Sequence, residues 1–296
     1  MFKEGKKRRL IAIAIFIIVV ALVAFWFLYQ PIDYLKFSAL DVGQGDAELI
    51  VTPRGQTILV DGGPDNKIIR RLSEELPFWQ RRIDLVVLTH PHDDHFRGLI
   101  EVFKRYQVNN LILTGIECFD PAYEEFIKVA QTSNVKIFIY NGLDNFMIDG
   151  LNIASLYPRE NIKNKKYDNS NNSSIVLKLS YNKIDFLLMG DAETLVEQEL
   201  LFSSKNMLNA EVLKVAHHGA ETSSGEDFLK VVKPTIALIS VASENDYGHP
   251  SPRILKRLAR LNIKEYLTKD VGTIHLKTNG QWLKSNDTCL IADCPL

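Results

Sequence analysis

The sequence predicts an α/β protein in which two sheets are covered by helices, preceded by one N-terminal transmembrane helix. Three observations support this prediction. Short apolar runs that are typical of strands alternate with helix-like stretches from residue 34 onward. Side chains that can bind metals follow directly after several of these runs. Before this mixed region, residues 10–29 form a stretch of twenty positions without a charged side chain.

The apolar stretch 10–29 is long enough to cross a membrane. A twenty-residue helix spans roughly 30 Å, which is the thickness of the hydrocarbon core of a bilayer. The preceding tail, residues 1–9, has five Lys and Arg against one Glu, so we expect it in the cytoplasm and the bulk of the chain outside. The alternative is a cleaved signal peptide. Its apolar region usually has about 7–15 residues, and this stretch is longer and ends in bulky aromatic residues.

The remaining chain lacks the charge expected of a broad nucleic-acid-binding face. From residue 31 onward, 30 Lys and Arg are opposed by 35 Asp and Glu, a formal net charge of −5. Any nucleic-acid binding would therefore depend on a local patch or on metal ions. Cys118 stands alone in the sequence. Cys289 and Cys294 are close enough to form a small disulfide, and the alternative is that both are free thiols.

Strands and helices follow one another quickly in the first half. Glycine-bearing turns separate the first three strands, and a continuous apolar run predicts that strand 83–89 is buried. The predicted order is strands 34–40, 47–52 and 57–60, a helix ending near residue 76, strand 83–89, helix 96–106, strand 108–113, helix 122–132 and strand 135–140.

The second half begins with a strand and a long polar loop that is rich in Asn and Lys. The predicted order is strand 151–156, loop 159–172, a hairpin of strands 174–179 and 184–189, helix 192–201, strand 212–216, helix 226–232, strand 236–241, helix 252–261 and two terminal strands. Since no linker divides residues 33–296, we expect them to form one domain.

The six residues His90–His95 (HPHDDH) are the clearest functional feature. They place three of the chain's seven histidines and two aspartates in one loop between a predicted buried strand and a helix. Open sheets place their sites at such strand ends. Imidazole and carboxylate groups suit zinc and related divalent ions. The loop is therefore predicted to bind metal.

Two further strand ends carry the same types of residue. Asp191 follows one strand, and His217 and His218 follow another. Two ions about 3.5–4 Å apart would hold a hydroxide between them near neutral pH. The predicted ligands are His90 and His92 for one ion, Asp94 and His95 for the other, Asp191 as a bridge and His217 as a further ligand.

This set resembles the metallo-β-lactamase superfamily, whose signature is HxHxDH followed far downstream by Gly-Asp and then a His. Four further motifs resemble the ComEC competence-protein branch: LDVGQGDA at 40–47, VDGG at 60–63, LKVAHHG at 213–219 and YGHP at 247–250. The similarity covers about residues 34–283. It implies an αββα metallo-β-lactamase-like sandwich that binds one or two Zn or Mn ions at one edge, between the sheets.

Two departures limit what the resemblance implies. Many members carry one more His between HxHxDH and Gly-Asp, but this chain has none between residues 95 and 217. Asn and Ser occupy the corresponding region, residues 169–174, so occupancy by one ion, or by manganese instead of zinc, stays open. The ComEC branch also carries a many-pass membrane channel, which one predicted span cannot build. Only the hydrolase activity carries over.

Further residues are predicted to support the ligands. The resemblance implies that Asp61 holds the ligand loop from behind. Asp46 either orders the site or only shapes a glycine-rich hairpin. Asn172 and Ser173 either cap the following strand or contact substrate oxygens.

Two histidines have open roles. His218 is expected to pack or hydrogen-bond beside His217, although it is also a candidate for the ligand itself. His249 is a candidate catalytic residue together with Asp94, and it would donate a proton to a leaving group or bind substrate.

The sequence thus predicts a membrane-anchored, outward-facing hydrolase that uses metal-bound hydroxide, with phosphodiesters in nucleic acid or a cell-surface phosphoester as favoured substrates. One alternative is hydrolysis of a lactone, thioester or β-lactam, because fold alone does not choose among these. Another is a non-catalytic partner in a DNA-uptake or envelope complex. The intact ligand loop argues against the latter, and the missing His keeps it open.

Overall fold

The structure, a computed structural model, describes residues 2–28, 33–142, 145–285, 288–291 and 294. The chain divides into two compact units, Met1–Asp33 and Tyr34–Leu296. The first unit contains helix α1 (Phe2–Leu28), in which the large apolar side chains from Leu10 to Val23 are exposed. The last residue of the predicted span, Tyr29, lies outside the described residues. Within the described part of the chain, no helix is both long enough and apolar enough to cross a membrane.

The second unit contains two mixed sheets. The strands of the larger sheet are β1 (Leu35–Ala39), β2 (Glu48–Val51), β3 (Thr57–Val60), β4 (Arg82–Val87), β5 (Gln107–Leu113), β6 (Lys136–Ile139), β14 (Ile274–Thr278), β15 (Leu283–Ser285) and β16 (Thr288–Ile291). Those of the smaller sheet are β7 (Asn145–Ile148), β8 (Leu151–Tyr157), β9 (Val176–Tyr181), β10 (Ile184–Leu188), β11 (Val212–Lys214), β12 (Ile236–Ile239) and β13 (Lys264–Leu267). Their spatial orders are β16-β15-β14-β1-β2-β3-β4-β5-β6 and β13-β12-β11-β10-β9-β8-β7.

Helices cover the outer face of each sheet. They are α2 (Lys67–Glu75), α3 (Asp93–Arg105) and α4 (Pro121–Thr132) on the larger sheet, and α5 (Thr194–Ser203), α6 (Glu226–Val232) and α7 (Pro252–Arg260) on the smaller one. A third apolar cluster lies between the sheets, where the rings of Phe37 and Phe186 stack with centroids 4.9 Å apart. The predicted αββα sandwich is therefore confirmed.

Parallel pairing brings several strand ends to the same edge. Val60 of β3 lies opposite Val87 of β4, and Leu187 of β10 lies opposite Leu213 of β11. Since neighbouring parallel strands point the same way, the residues that follow each pair emerge side by side. The register places the polar segments after each pair together, and the stacking of the two sheets brings the two pairs to one edge.

The structure differs from the predicted elements mainly at edges and ends. Strand β7, which the sequence analysis did not predict, is an edge strand with alternately exposed side chains and so lacks a continuous apolar run. After α7 come the strands β13, β14, β15 and β16 and a short helix, α8 (Thr268–Val271), instead of two strands. Helix α3 begins at Asp93 rather than at residue 96, because two aspartates in its first turn suit the positive end of the helix dipole.

The two C-terminal cysteines are joined. The sulfur atoms of Cys289 and Cys294 form a disulfide, which resolves the alternative that the sequence left open.

Candidate metal centre

Four strand ends bring together a compact group of histidines and aspartates. Asp61 follows β3, the loop His90–His95 follows β4, Asp191 follows β10, and His217 and His218 follow β11. The rings of His90 and His95 have centroids 4.2 Å apart, and those of His95 and His218 are 5.6 Å apart. These segments are distant in sequence, and the register within each sheet together with the packing of one sheet on the other explains their proximity.

Asp191 lies at the centre of the group and is 1% exposed. Its Oδ1 is 3.3 Å from His95 Nε2, although the two are not aligned for a hydrogen bond. Its Oδ2 is 3.8 Å from both His90 Nε2 and His218 Nε2. The Nε2 of His217 is 3.9 Å from the same oxygen. One carboxylate thus lies among four imidazoles, as the predicted bridging position requires.

Asp61 fixes the orientation of His95 from behind. Its Oδ1 accepts a hydrogen bond from the Thr89 backbone N–H at 2.8 Å, and its Oδ2 accepts from Thr89 Oγ1 at 2.7 Å. His95 Nδ1 lies 2.7 Å from Asp61 Oδ2 and donates to it. Since Nδ1 carries this proton, Nε2 is the ring atom that faces Asp191. The structure thus places Asp61 where the predicted supporting role requires it.

The consecutive histidines His217 and His218 point to different places. Both have left-handed backbone conformations, with φ of 51° and 53°, which cost on the order of 1–3 kcal/mol each and occur mainly at functional sites. His218 is buried, and its Nε2 lies 3.1 Å from Asp94 Oδ2. His217 is partly exposed at the rim, and its Nδ1 lies 3.2 Å from Glu193 Oε1. His218 therefore occupies the inner position that the sequence analysis gave to His217.

Three polar atoms in the group are buried without a hydrogen-bond partner in the described part of the chain: His90 Nε2, His95 Nε2 and Asp191 Oδ1. A buried polar atom in this state costs about 1–3 kcal/mol. These residues form one set whose potential ligand atoms lie within 4.8 Å of one another, and Asp94, His95 and His218 form a second. Imidazole nitrogens and carboxylate oxygens are donors for both zinc and manganese. The residues present therefore fit a centre for divalent ions.

Comparison with known proteins identifies the family of this site. Residues 40–243 match the model of the metallo-beta-lactamase superfamily. The chain belongs to this superfamily. Its fold is similar to that of the metallo-beta-lactamase fold protein YhfI from Bacillus subtilis, with a TM-score of 0.56 and 13% identity over 83% of this chain and 100% of that one. The predicted family is thus confirmed.

Two curated relatives carry names linked to competence. The chain is 30% identical to ComE operon protein 3 of Bacillus subtilis (strain 168) over 259 residues, 82% of this chain and 33% of that protein. It is 29% identical to Competence protein ComA of Neisseria gonorrhoeae over 248 residues, 82% of this chain and 32% of that protein. The predicted likeness to competence proteins is confirmed, and the chain spans about a third of the length of these relatives.

His92 lies beside the central group. It is half-buried, its ring is 4.6 Å from that of His90, and its Nε2 is hydrogen-bonded to Ser170 Oγ. Ser170 begins a short 3₁₀ helix, Ser170–Ser173, in the region where the superfamily signature carries a further His in many members. In this chain, the hydroxyl of Ser170 contacts His92 in that region.

The predicted residues Asn172 and Ser173 both bind backbone groups, Asn172 outside this short helix and Ser173 within it. Asn172 Oδ1 accepts from the Glu193 N–H at 3.1 Å, and Ser173 Oγ donates to the carbonyl of Ser170 at 2.7 Å. Asn171, which the sequence analysis did not single out, is buried and places its Nδ2 3.4 Å from the ring of His217. Asn171 therefore faces the candidate metal centre beside His217.

The charges of the centre favour cations. Burial alone would raise the pKa of Asp191, but His95 and His218 outweigh it and hold that pKa well below its usual range. Burial would lower the pKa of His218, yet the carboxylates of Asp191 and Asp46 raise it to about 10. At neutral pH the aspartate is therefore ionised, and a metal ion that binds His218 displaces a proton.

His249 stands at the rim next to His217, with ring centroids 5.3 Å apart. Its Nδ1 is buried without a hydrogen-bond partner among the described residues. Burial and the nearby His217 lower the pKa of His249 to about 4. Since the neutral ring dominates at neutral pH, this geometry favours substrate binding, the second of the two predicted roles, over proton donation.

Proposed function

We propose that this domain is a metal-dependent hydrolase whose substrates are phosphodiesters. The observation that carries the proposal is the buried set of His90, His95 and Asp191, whose unpartnered atoms converge on one place. The likeness to proteins named for competence favours nucleic acid as the source of the phosphodiester. A surface phosphoester is the second source of the same chemistry.

The proposed roles follow from the geometry. His90, His95 and Asp191 would hold a first ion, and Asp94 and His218, with Asp191 shared as a bridging carboxylate, would line the place for a second. His95 Nε2 can serve only one of the two ions, because Nδ1 is bound to Asp61. When bound, one or two divalent ions, Zn or Mn, supply a Lewis acid and a water molecule of lowered pKa. Asp61 holds His95 in the orientation needed for binding.

The rim residues give the site its substrate-facing groups. His217 is held by Glu193 on one side, and the Nδ2 of Asn171 lies beside its ring. His249 offers an unpartnered ring nitrogen close by. An amide donor and two imidazoles around one opening suit the oxygen atoms of a phosphodiester.

A substrate panel tests the reaction class. Residues 33–296, after removal of metal and reloading with Zn²⁺ or Mn²⁺, are incubated with bis-p-nitrophenyl phosphate, single-stranded DNA, a lactone and nitrocefin. We expect metal-dependent turnover of the two phosphodiesters, lost with a chelator and restored by the ion. Turnover of only the lactone or nitrocefin would move the function to the other substrate class. No turnover of any substrate by metal-loaded protein would favour a non-catalytic partner.

We also propose that residues 10–29 anchor the chain in the membrane, with the domain outside the cytoplasm. The sequence supports this through twenty uncharged positions behind a basic tail. After cell fractionation, the full-length chain should sediment with membranes and resist extraction by salt or alkali, and a chain beginning at residue 33 should not. Protease added to intact cells should digest the domain. Release by salt would contradict anchoring, and protection from protease would reverse the orientation.

A further inference from the structure

Lys214 is a buried lysine directly behind the metal centre. It ends β11, four residues before His218, and is 1% exposed. Its Nζ lies 2.6 Å from Asp46 Oδ2. A buried ammonium is costly unless it is paired, so this contact accounts for how the charge is tolerated. It does not account for why a charge lies there at all, since β11 is otherwise apolar.

The carboxylate of Asp46 links Lys214 to the proposed ligand His218. Its Oδ2 is bonded to the lysine, and its Oδ1 lies 3.2 Å from His218 Nδ1 without alignment for a hydrogen bond. The same ring nitrogen lies 3.0 Å from the carbonyl oxygen of Ser240. Because both neighbours of Nδ1 are acceptors, Nδ1 carries a proton, and Nε2 is left to face Asp94 Oδ2 at 3.1 Å.

Asp46 also lies close enough to the ligand atoms to compete for a metal ion. Asp46, Asp191 and His218 form a set within 4.8 Å, as do Asp46, Asp61 and His95. These two sets differ from the proposed metal-binding sets because they contain Asp46, which lies beside the Lys214 ammonium. Because its Oδ2 already pairs with the buried lysine, Asp46 is less available to a metal ion, and its Oδ1 stays beside His218.

We propose that Lys214 is a positioning residue that holds the Asp46 carboxylate beside His218 and thereby sets the affinity of the ion that His218 binds. This inference rests on the proposed metal centre but not on the proposed reaction. Simple electrostatics gives the opposite expectation for its removal, because loss of a nearby positive charge strengthens the binding of a cation. The sign of the change therefore separates positioning from bulk charge.

The test measures metal affinity in the full-length chain without substrate. Lys214→Met preserves the approximate volume and removes the charge. We expect the second equivalent of Zn²⁺ or Mn²⁺ to bind about 10–100-fold more weakly in chelator competition, the range typical of groups that orient metal ligands. The first equivalent should change by less than about threefold, because Asp46 Oδ2 pairs with Lys214 and is not hydrogen-bonded to His90, His95 or Asp191.

Lys178→Met is the matched control. Lys178 lies in β9 of the same sheet and pairs with Asp185 at 2.7 Å, away from the ligands. Lys178→Met should leave the affinities for the first and second equivalents of metal unchanged. In addition, Lys214→Met combined with His218→Ala should bind no more weakly than His218→Ala alone, because the lysine acts through that ring.

Wild-type or tighter affinity in Lys214→Met would overturn the proposal, as would an equal loss in Lys178→Met. Should Lys214→Met fail to fold, the double variant Lys214→Met/Asp46→Asn removes both members of this ion pair and replaces the single variant in the assay, with the neighbouring Glu48, 3.8 Å from the lysine Nζ, unchanged. That variant should show the same weakening, and wild-type affinity there would also overturn the proposal. If no substrate of the panel is turned over, these metal affinities are still measurable, and the inference about Lys214 is unaffected.

Discussion

Replacing Asp191 by Asn is expected to lower kcat on a phosphodiester by on the order of 10³-fold, the upper range for removal of one electrostatic group from an active site. The residue is chosen because its two oxygens face His90, His95 and His218 within 3.8 Å. Asn preserves the shape but removes the charge that both proposed ions share. Metal content should fall in parallel, from about two equivalents towards one or none.

The matched control for Asp191→Asn is Asp185→Asn. Asp185 lies in β10, the strand that leads to Asp191, and pairs with Lys178 instead of facing the ligands. It should preserve metal content and change kcat by less than about threefold, as expected for a partly exposed ion pair. Full metal content and near wild-type kcat in Asp191→Asn would exclude the central role of this carboxylate. Circular dichroism at the assay temperature must show that both variants are folded.

The ligand loop could be predicted from the sequence because its information is local. His90–His95 follows an apolar strand directly, and four potential ligands within six residues can be recognised without knowledge of distant contacts. Asp191 could be predicted for a related reason, since a Gly-Asp pair ends another buried strand. The alternation of apolar and amphipathic runs predicted two sheets covered by helices, and the family resemblance implied the αββα order.

Lys214 shows what the sequence could not reveal. Lys214 is the single charged residue in the apolar segment 212–216, and the sequence around it does not identify the carboxylate with which it pairs. Its partner Asp46 lies 168 residues away and in the other half of the sandwich. Long-range ion pairs of this kind depend on how two sheets are stacked, which local patterns do not encode.

The choice between His217 and His218 depends on backbone geometry in the same way. Two adjacent residues in a regular strand would point to opposite faces, so pattern alone makes either one the ligand. Here φ angles of 51° and 53° turn the chain and send His218 inward to Asp94 and His217 outward to Glu193. The structure therefore makes an assignment that the sequence left open.

His218→Ala and His217→Ala should consequently have different effects. Loss of His218 removes a ring that faces Asp94 and Asp191, so the second equivalent of metal should bind at least about 100-fold more weakly. Loss of His217 should leave both equivalents bound within about threefold, since its nearest ionic partner is Glu193 at the rim. Its effect should instead be on turnover, with kcat/KM lowered about 10–100-fold through a lost substrate contact.

Equilibrium dialysis with metal analysis and steady-state kinetics on bis-p-nitrophenyl phosphate separate these outcomes. His275→Ala serves as the control for both variants, because His275 lies on β14 beside Ser38 and Glu75, away from the ligands. It should change neither metal content nor turnover. The opposite pattern, with metal lost in His217→Ala and kept in His218→Ala, would return the ligand role to His217. It would also mean that metal binding reorients the two rings, because His217 Nε2 is now 3.9 Å from Asp191 Oδ2 and held at Nδ1 by Glu193.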